Sequence, residues 1–250
     1  MTSTPGTTGK PISPAPEETT LTLAVVIPTW NEEAALPVLL DSLRRQTQPA
    51  QRILVVDAGS TDRTVSEASR AGAEVVTAST RGRGNQIAAG LARVSEEIVL
   101  VAHADMILPT NALQSIRRAL SERPGCPGGC LGHRFERATL VLKVIEWWDR
   151  RRARSGESYG DQAQFFRRQL LQSVGGFPEQ PIMEDVELSR RLRRLGIPLY
   201  LDAPVIVSCR RFRQGHWWRV LWTNWAIRRR YRRNGIAACA DLHQRYYART

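Results

Sequence analysis

The chain has 250 residues, 42% of them hydrophobic and 24% charged, which suits one soluble α/β domain with a full core plus a tail. Its 36 Lys/Arg against 24 Asp/Glu leave a net charge of +12, and the excess is lopsided: residues 1–105 hold 9 cations and 12 anions, residues 106–250 hold 27 and 12. The basic half calls for an anionic partner (a membrane surface, a nucleic acid or a phosphorylated substrate), and nearly all its cations are arginine, suited to bidentate phosphate contacts. Four cysteines are too few for a disulfide scaffold. No apolar run reaches the ~18 residues of a membrane span, and no charged-then-apolar leader opens the chain, so a cytoplasmic location is expected.

Residues 1–20 are rich in Thr, Pro, Gly and Ser and predict a disordered tail. Leu23–Ile27 is an aliphatic run of the buried-strand type, ended by Pro28. Leu36, Leu39, Leu40 and Leu43 predict a helix over Glu32–Gln46 with Asn31 as its N-cap. Strands follow at Arg52–Val56, Glu74–Val76 and Ile98–Ala102, and helices at Asp62–Ala71 and Asn85–Val94. Four strand–helix alternations favour a mainly parallel sheet with helices on both faces, whose ligands bind at the carboxyl ends of the strands.

Beyond Asp105 the pattern predicts helices at Pro109–Arg123, Thr139–Arg152 and Asp185–Leu195. It predicts strands at Cys130–Phe135, Gln164–Arg167, Pro198–Leu201 and Val205–Val207. A terminal amphipathic helix covers His216–Arg233. Cys126-Pro-Gly-Gly-Cys130 resembles half of a zinc site, but its second pair is missing; a glycine turn with buried thiols is expected instead. One domain, 21–210, with a basic Trp-rich helical extension, 211–250, is the expected organisation.

Three acidic segments end the early strands: Pro28-Thr29-Trp30-Asn31-Glu32-Glu33, Asp57-Ala58-Gly59-Ser60-Thr61-Asp62 and His103-Ala104-Asp105. Asp57 can accept from a nucleobase or ribose, and Gly59 lets backbone approach a ligand. Asp62 is expected to cap the following helix. Asp105 offers hard oxygen to a divalent cation, and Mn²⁺ would also accept the His103 imidazole. A fourth acidic pair, Glu184-Asp185, opens an Arg-rich helix, where the positive dipole end favours an ionised carboxylate. Arg81-Gly82-Arg83-Gly84-Asn85-Gln86-Ile87 is a poor dinucleotide fingerprint, with Ile87 in place of the third glycine; Arg81 and Arg83 are candidate diphosphate contacts.

In that order and spacing, these four segments resemble glycosyltransferase family 2 over roughly Leu23 to Leu201. The resemblance implies a GT-A (Rossmann-like) fold: a mixed, mainly parallel sheet flanked by helices, one α/β domain carrying the C-terminal amphipathic helix. It implies a nucleotide-sugar donor, Mn²⁺ or Mg²⁺, and inversion at the anomeric carbon by a hexosyltransferase-type enzyme. By carry-over, Pro28, Thr29, Glu32 and Asp57 line the nucleotide pocket with Arg81 beside it. Asp105, with His103, holds the metal on the diphosphate. Asp185 is the base, and Glu184 orients the loop or acceptor. Leu-Val-Ala-His-Ala-Asp, Tyr159-Gly160-Asp161-Gln162 and the stretch from Pro181 to Leu192 resemble a bacterial subgroup associated with radical-SAM or selenodomain proteins and proposed arsenosugar biosynthesis. Carotenoid-acid glycosyltransferases share the framework. The chain departs from the family at Ala58, where many members carry a second acid, and at His103, which replaces an Asp. Arg210-Arg211-Phe212 stands near the point where processive synthases carry Gln-x-x-Arg-Trp, so transfer of one sugar is expected.

In the terminal helix Trp218, Leu221, Trp222 and Trp225 share one face and arginines crowd the end. Trp with Arg suits an anionic bilayer surface and a small-molecule or lipid-like acceptor at the inner face of the cell membrane; alternatively the Trp face packs on the domain. Nucleic acid is not an expected partner, because no recognisable nucleic-acid motif accompanies the charge. The rival from another class is a non-catalytic basic membrane-surface binding protein built on a nucleotide-sugar fold.

Overall fold

Strand β1 (Leu23–Thr29) sets the architecture. Its side chains alternate between the faces of the sheet, as strand geometry requires. Leu23, Val25 and Ile27 enter one core with Leu36, Leu39, Leu43, Leu113 and Ile116. Ala24 and Val26 enter another with Leu54, Val56, Ile87, Leu188 and Leu192. A strand buried on both faces must be apolar throughout, and hence the unbroken aliphatic run. The computed structural model describes residues 21–137, 139–209 and 217–247. The expected tail, 1–20, lies outside them, as do Arg210, Arg211, Phe212 and His216.

The first half follows the expected alternation: α1 (Leu36–Arg44), β2 (Arg52–Asp57), α2 (Thr64–Arg70), β3 (Glu74–Thr77), α3 (Arg83–Leu91) and β4 (Ile98–Val101). β1 pairs in parallel with β2 and β4, and β2 with β3. Pro28 does not end β1. Its missing N–H falls on the β4 side, where the ladder already stops at Val26↔Val101, so the strand continues to Thr29 at no hydrogen-bond cost.

Asn31 does not cap α1. It has φ 52°, and its Oδ1 accepts from Thr61 N at 2.9 Å, tying the loop after β1 to the loop after β2. The helix begins later, at Leu36, after a turn in which the Glu32 carbonyl accepts from Ala35 and Leu36. Asp62 accepts from Thr64 N at 2.9 Å at the entry to α2, and from Glu33 N at 3.0 Å.

The second half contains β5 (Met106–Ile107), α4 (Ala112–Ser121), β6 (Gly128–Cys130), β7 (His133–Phe135) and α5 (Leu140–Arg154). A 3₁₀ turn at Gly160–Gln162 leads into β8 (Gln164–Arg167), α6 (Arg168–Ser173) and α7 (Glu184–Arg193). Strands β9 (Leu199–Tyr200) and β10 (Val205–Val207) precede α8 (Trp217–Asn234) and α9 (Cys239–Tyr247). The main sheet has the order β3-β2-β1-β4-β8-β6-β9, with β8 antiparallel to both neighbours. A small sheet has the order β5-β10-β7. The predicted single strand Cys130–Phe135 is therefore two: the chain turns at Gly132, with φ +74°, and passes from the main sheet to the small one. Cys126 and Cys130 are free thiols; burial pushes Cys130 up to about 11, so it stays protonated, as the glycine-turn expectation requires.

The Trp face of α8 does not pack on the domain. Trp218, Trp222 and Trp225 are 59%, 63% and 53% exposed. The helix docks instead through Tyr231, which joins Ile182, Met183 and Val186 at the start of α7 together with Cys239 and Leu242 of α9. Among the described residues no helix is long and apolar enough to cross a membrane.

Candidate active site

The loops after β1 and β2 are joined by Asp57, 2% exposed. Its carboxylate accepts from Thr29 Oγ1 at 3.2 Å, Gly59 N at 2.9 Å, Ser60 N at 2.8 Å and the Ser60 hydroxyl. Four donors match the capacity of a carboxylate, so this group shapes the loop. Pro28 sits half-buried one residue before Thr29. The Glu32 amide donates to Thr64 Oγ1 at 2.7 Å. Arg81 lays its guanidinium 3.4 Å over the centre of the Trp30 ring, at the rim of the same region.

Helix α3 links this region to the acidic pair. Its buried Gln86 donates from Nε2 to the carbonyls of Thr29 and Val56, both at 2.8 Å, closing the carboxyl ends of β1 and β2. One turn earlier, Arg83 reaches α7: its Nε pairs with Glu184 Oε1, and its Nη2 lies 3.3 Å from Asp185 Oδ2. Gly84 permits the approach, since a Cβ there would stand 2.0 Å from the Gln180 carbonyl and 2.9 Å from Glu184 Cβ. One helical turn spans about 5 Å, so residues expected to hold the nucleotide and those expected to do chemistry share one corner. Arg83, expected on the diphosphate, is engaged by the two carboxylates.

Asp185 is held from three sides. Its Oδ2 accepts the Gly160 amide at 2.8 Å, its Oδ1 accepts Val186 N at 2.8 Å, and its carbonyl accepts from Gln164 Nε2 at 3.1 Å. Glu184 is 1% exposed. Burial raises its carboxyl to about 7; Arg83 opposes that shift and Asp185 adds to it. Its Oε2 finds no hydrogen-bond partner among the described residues.

Of the residues expected to bind metal, His103 packs its ring against Gly160, where an added Cβ would meet His103 Cε1 at 2.6 Å and Asp185 Oδ2 at 3.4 Å. Asp105 is half-buried and lines a cleft of ≈ 290 Å³ with Ala34, Val38, Glu136 and Ser208. A different group, His133, Asp149 and Asp161, offers three ligand atoms within 4.8 Å of one another. Arg152 already pairs with Asp149, whose carboxyl burial pushes above its usual range, so a cation there would compete with a guanidinium.

The Gly160 amide, Gln86 and Gln164 also belong to this corner, and no catalytic or binding pattern in the sequence marks them. Tyr159-Gly160-Asp161-Gln162 was visible as a motif but carried no assigned role.

The family model described as Glycosyl transferase family 2 matches residues 24–171. An uncharacterised glycosyltransferase of Mycobacterium bovis is 42% identical over 84 residues, covering 33% of this chain and 36% of that protein. An undecaprenyl-phosphate 4-deoxy-4-formamido-L-arabinose transferase of Yersinia enterocolitica is 25% identical over 166 residues, 61% of this chain and 50% of that one. The chain thus spans half or less of these curated relatives. Among solved structures, a mannosyltransferase of Pyrobaculum calidifontis in complex with GDP-Man and Mn²⁺ superposes with a TM-score of 0.64 at 23% identity, covering 96% of this chain and 68% of that one.

Proposed function

The chain belongs to glycosyltransferase family 2, and we propose that it is an inverting transferase that moves one sugar from a nucleotide-diphosphate sugar to a small-molecule or lipid-like acceptor. The observation that carries this reading is the convergence on Asp185 of Arg83, the Gly160 amide and the His103 ring, one turn of α3 from the Thr29–Asp57 loop. A carboxylate held this rigidly suits a general base.

The reaction balances simply. The acceptor oxygen bonds to the anomeric carbon as its bond to the diphosphate breaks, the acceptor proton passes to Asp185, and the nucleoside diphosphate leaves. Glu184 orients this pair through Arg83. Pro28, Thr29, Glu32 and Asp57 form the nucleotide side; a base N–H reaches Asp57 by taking the place of the Ser60 hydroxyl, which the Asn31 amide also holds. Arg81 lies beside the diphosphate.

The donor set fits a metal that rests mainly on substrate phosphates: Asp105 is one hard oxygen facing a cleft, and His103 one imidazole on the catalytic side. Mn²⁺ or Mg²⁺ held there would supply positive charge for the departing diphosphate.

The lipid-like acceptor is supported by the exposed Trp218, Trp222 and Trp225, which suit a helix lying on a bilayer surface. The Yersinia relative's name also specifies undecaprenyl phosphate. The His103-Ala104-Asp105 and Tyr159–Gln162 segments support placement in the radical-SAM or selenodomain-associated subgroup. The exposed tryptophans also favour a second reading, a non-catalytic membrane-surface protein.

Calorimetric titration of a nucleotide-sugar panel, with and without Mn²⁺, on the wild type and Asp105→Ala separates the two. Metal-dependent binding of one donor, lost in the variant, is expected. Absence of donor binding under every metal condition overturns the transferase reading.

A further inference from the structure

We propose that the basin between the end of α5 and α8 binds a phosphate group of the sugar acceptor, an assignment that rests on the transferase reading and names the acceptor's chemistry. The basin, of about 600 Å³, is lined by Arg152, Tyr159, Arg228, Arg229, Arg232 and Arg233. Five guanidiniums there face three carboxylates: Asp149 pairs with Arg152, Asp161 lies beside Asp149, and Glu157 lies 3.6 Å from Arg232. Arg228, Arg229 and Arg233 have no carboxylate partner among the described residues. Like charges crowded around one concavity repel, and a multiply charged anion relieves that repulsion. Guanidinium forks match phosphate oxygens in pairs.

The floor of the basin points to the acceptor rather than the donor. The Arg152 and Arg228 guanidiniums stand 3.6 Å and 4.9 Å from the centre of the Tyr159 ring. The next residue, Gly160, donates its amide to the Asp185 carboxylate. A phosphate seated on Tyr159 is therefore one residue of chain from the base. The nucleotide loops follow β1 and β2, whereas Tyr159 precedes β8, on the other side of β4 in the sheet. Trp225 lines the mouth and is 53% exposed, and Trp222 and Trp218 continue along the helix away from the basin. An apolar chain carrying the phosphate has a path along that face.

The test is calorimetric titration of the full chain with farnesyl phosphate, glycerol phosphate and farnesol, and sedimentation with phosphatidylglycerol vesicles. Each probe is applied to the wild type and to the Arg228→Gln/Arg229→Gln double variant, with donor binding measured in parallel. Phosphate-bearing probes are expected to bind, farnesol is not, and the double variant weakens that binding by about tenfold or more while donor binding is unchanged. Farnesyl phosphate binding far more tightly than glycerol phosphate identifies a lipid-borne acceptor; equal binding identifies a soluble one. Donor binding without phosphate binding, phosphate binding unchanged in the double variant, or loss of vesicle binding alone each overturns the acceptor site. Absence of donor binding in the wild type sinks the transferase reading instead.

Discussion

Asp185 Oδ2 accepts the Gly160 amide at 2.8 Å, and this one bond fastens the turn before β8 to the head of α7. The same oxygen faces Arg83, so both sides of the corner converge on one atom. Gly160 is hemmed in by the imidazole: a Cβ would lie 2.6 Å from His103 Cε1 and 2.8 Å from Nε2. Gly160→Ala is expected to displace the ring or the turn, lowering kcat by about a hundredfold and stability by about 1–3 kcal/mol. A variant that turns over at the wild-type rate removes Gly160 from the positioning of Asp185.

Asp185→Asn separates acceptor classes. An asparagine carbonyl satisfies one of the two amides now bound, Gly160 or Val186, and its NH₂ faces the other. If the acceptor is a hydroxyl, kcat falls by about 10²–10⁴ with the loss of the base. If the acceptor oxygen is already ionised, the loss stays near the level of misalignment. Single-turnover rates with saturating donor measure it.

Glu184 gives the protein a pH signature. Its folded carboxyl titrates near 7, whereas its ordinary value is 4.5. The folded state binds the proton more tightly, so folding takes up a proton between those values. Unfolding free energy is therefore expected to fall as pH rises from about 4.5 to about 7, by up to about 3 kcal/mol, and to level off above. Denaturant melts across that range should lose this slope in Glu184→Gln. An unchanged slope in the variant assigns the titration elsewhere.

Arg83→Gln should be harsher than loss of an exposed arginine. It leaves Glu184 and Asp185 adjacent and buried without their shared cation. A cost of about 3–5 kcal/mol is expected, partly relieved at pH 5, where Glu184 is protonated. Thermal melts at pH 5 and pH 8 test this through the difference between them.

Tyr231 anchors α8. Its hydroxyl donates to Glu187 Oε2 at 3.2 Å and meets Gln180 at 3.3 Å, and burial pushes it up to about 12. Tyr231→Phe should cost about 1–2 kcal/mol and speed proteolysis within α8 before the rest of the domain. Uniform proteolysis of the whole chain would show that α8 is not a separately opening unit.

The parallel half of the sheet was legible because strands buried on both faces are uniformly aliphatic, and Thr29 and Asp57 stand at the carboxyl ends of β1 and β2, whereas Asp105 lies four residues beyond β4, just before β5. Boundaries set by side-chain bonds were not. Asn31 looks like a cap but serves the Thr61 loop, a partner 30 residues away. Arg83 has chemistry that fits a phosphate or a carboxylate equally, and only the fold puts it on residues about 100 positions downstream. The reversal of β8 leaves no trace in a run as short as Gln-Phe-Phe-Arg. The Trp face of α8 has the period of a buried stripe, yet Tyr231 on another face makes the contact.

That reversal has a further consequence. Because β8 runs against β4, the chain enters β8 at the rim where β1, β2 and β4 leave the sheet. One rim is thus fed by outgoing loops on one flank and an incoming loop on the other. The incoming segment, 155–163, comes from α5 and is bonded to α7 and the end of β6 through Ser158, Gly160 and Gln162, and neither element belongs to the strands that carry the loops after β1 and β2. Grafting that segment, with α8, between related chains should exchange what the sugar is delivered to while leaving the choice of donor intact.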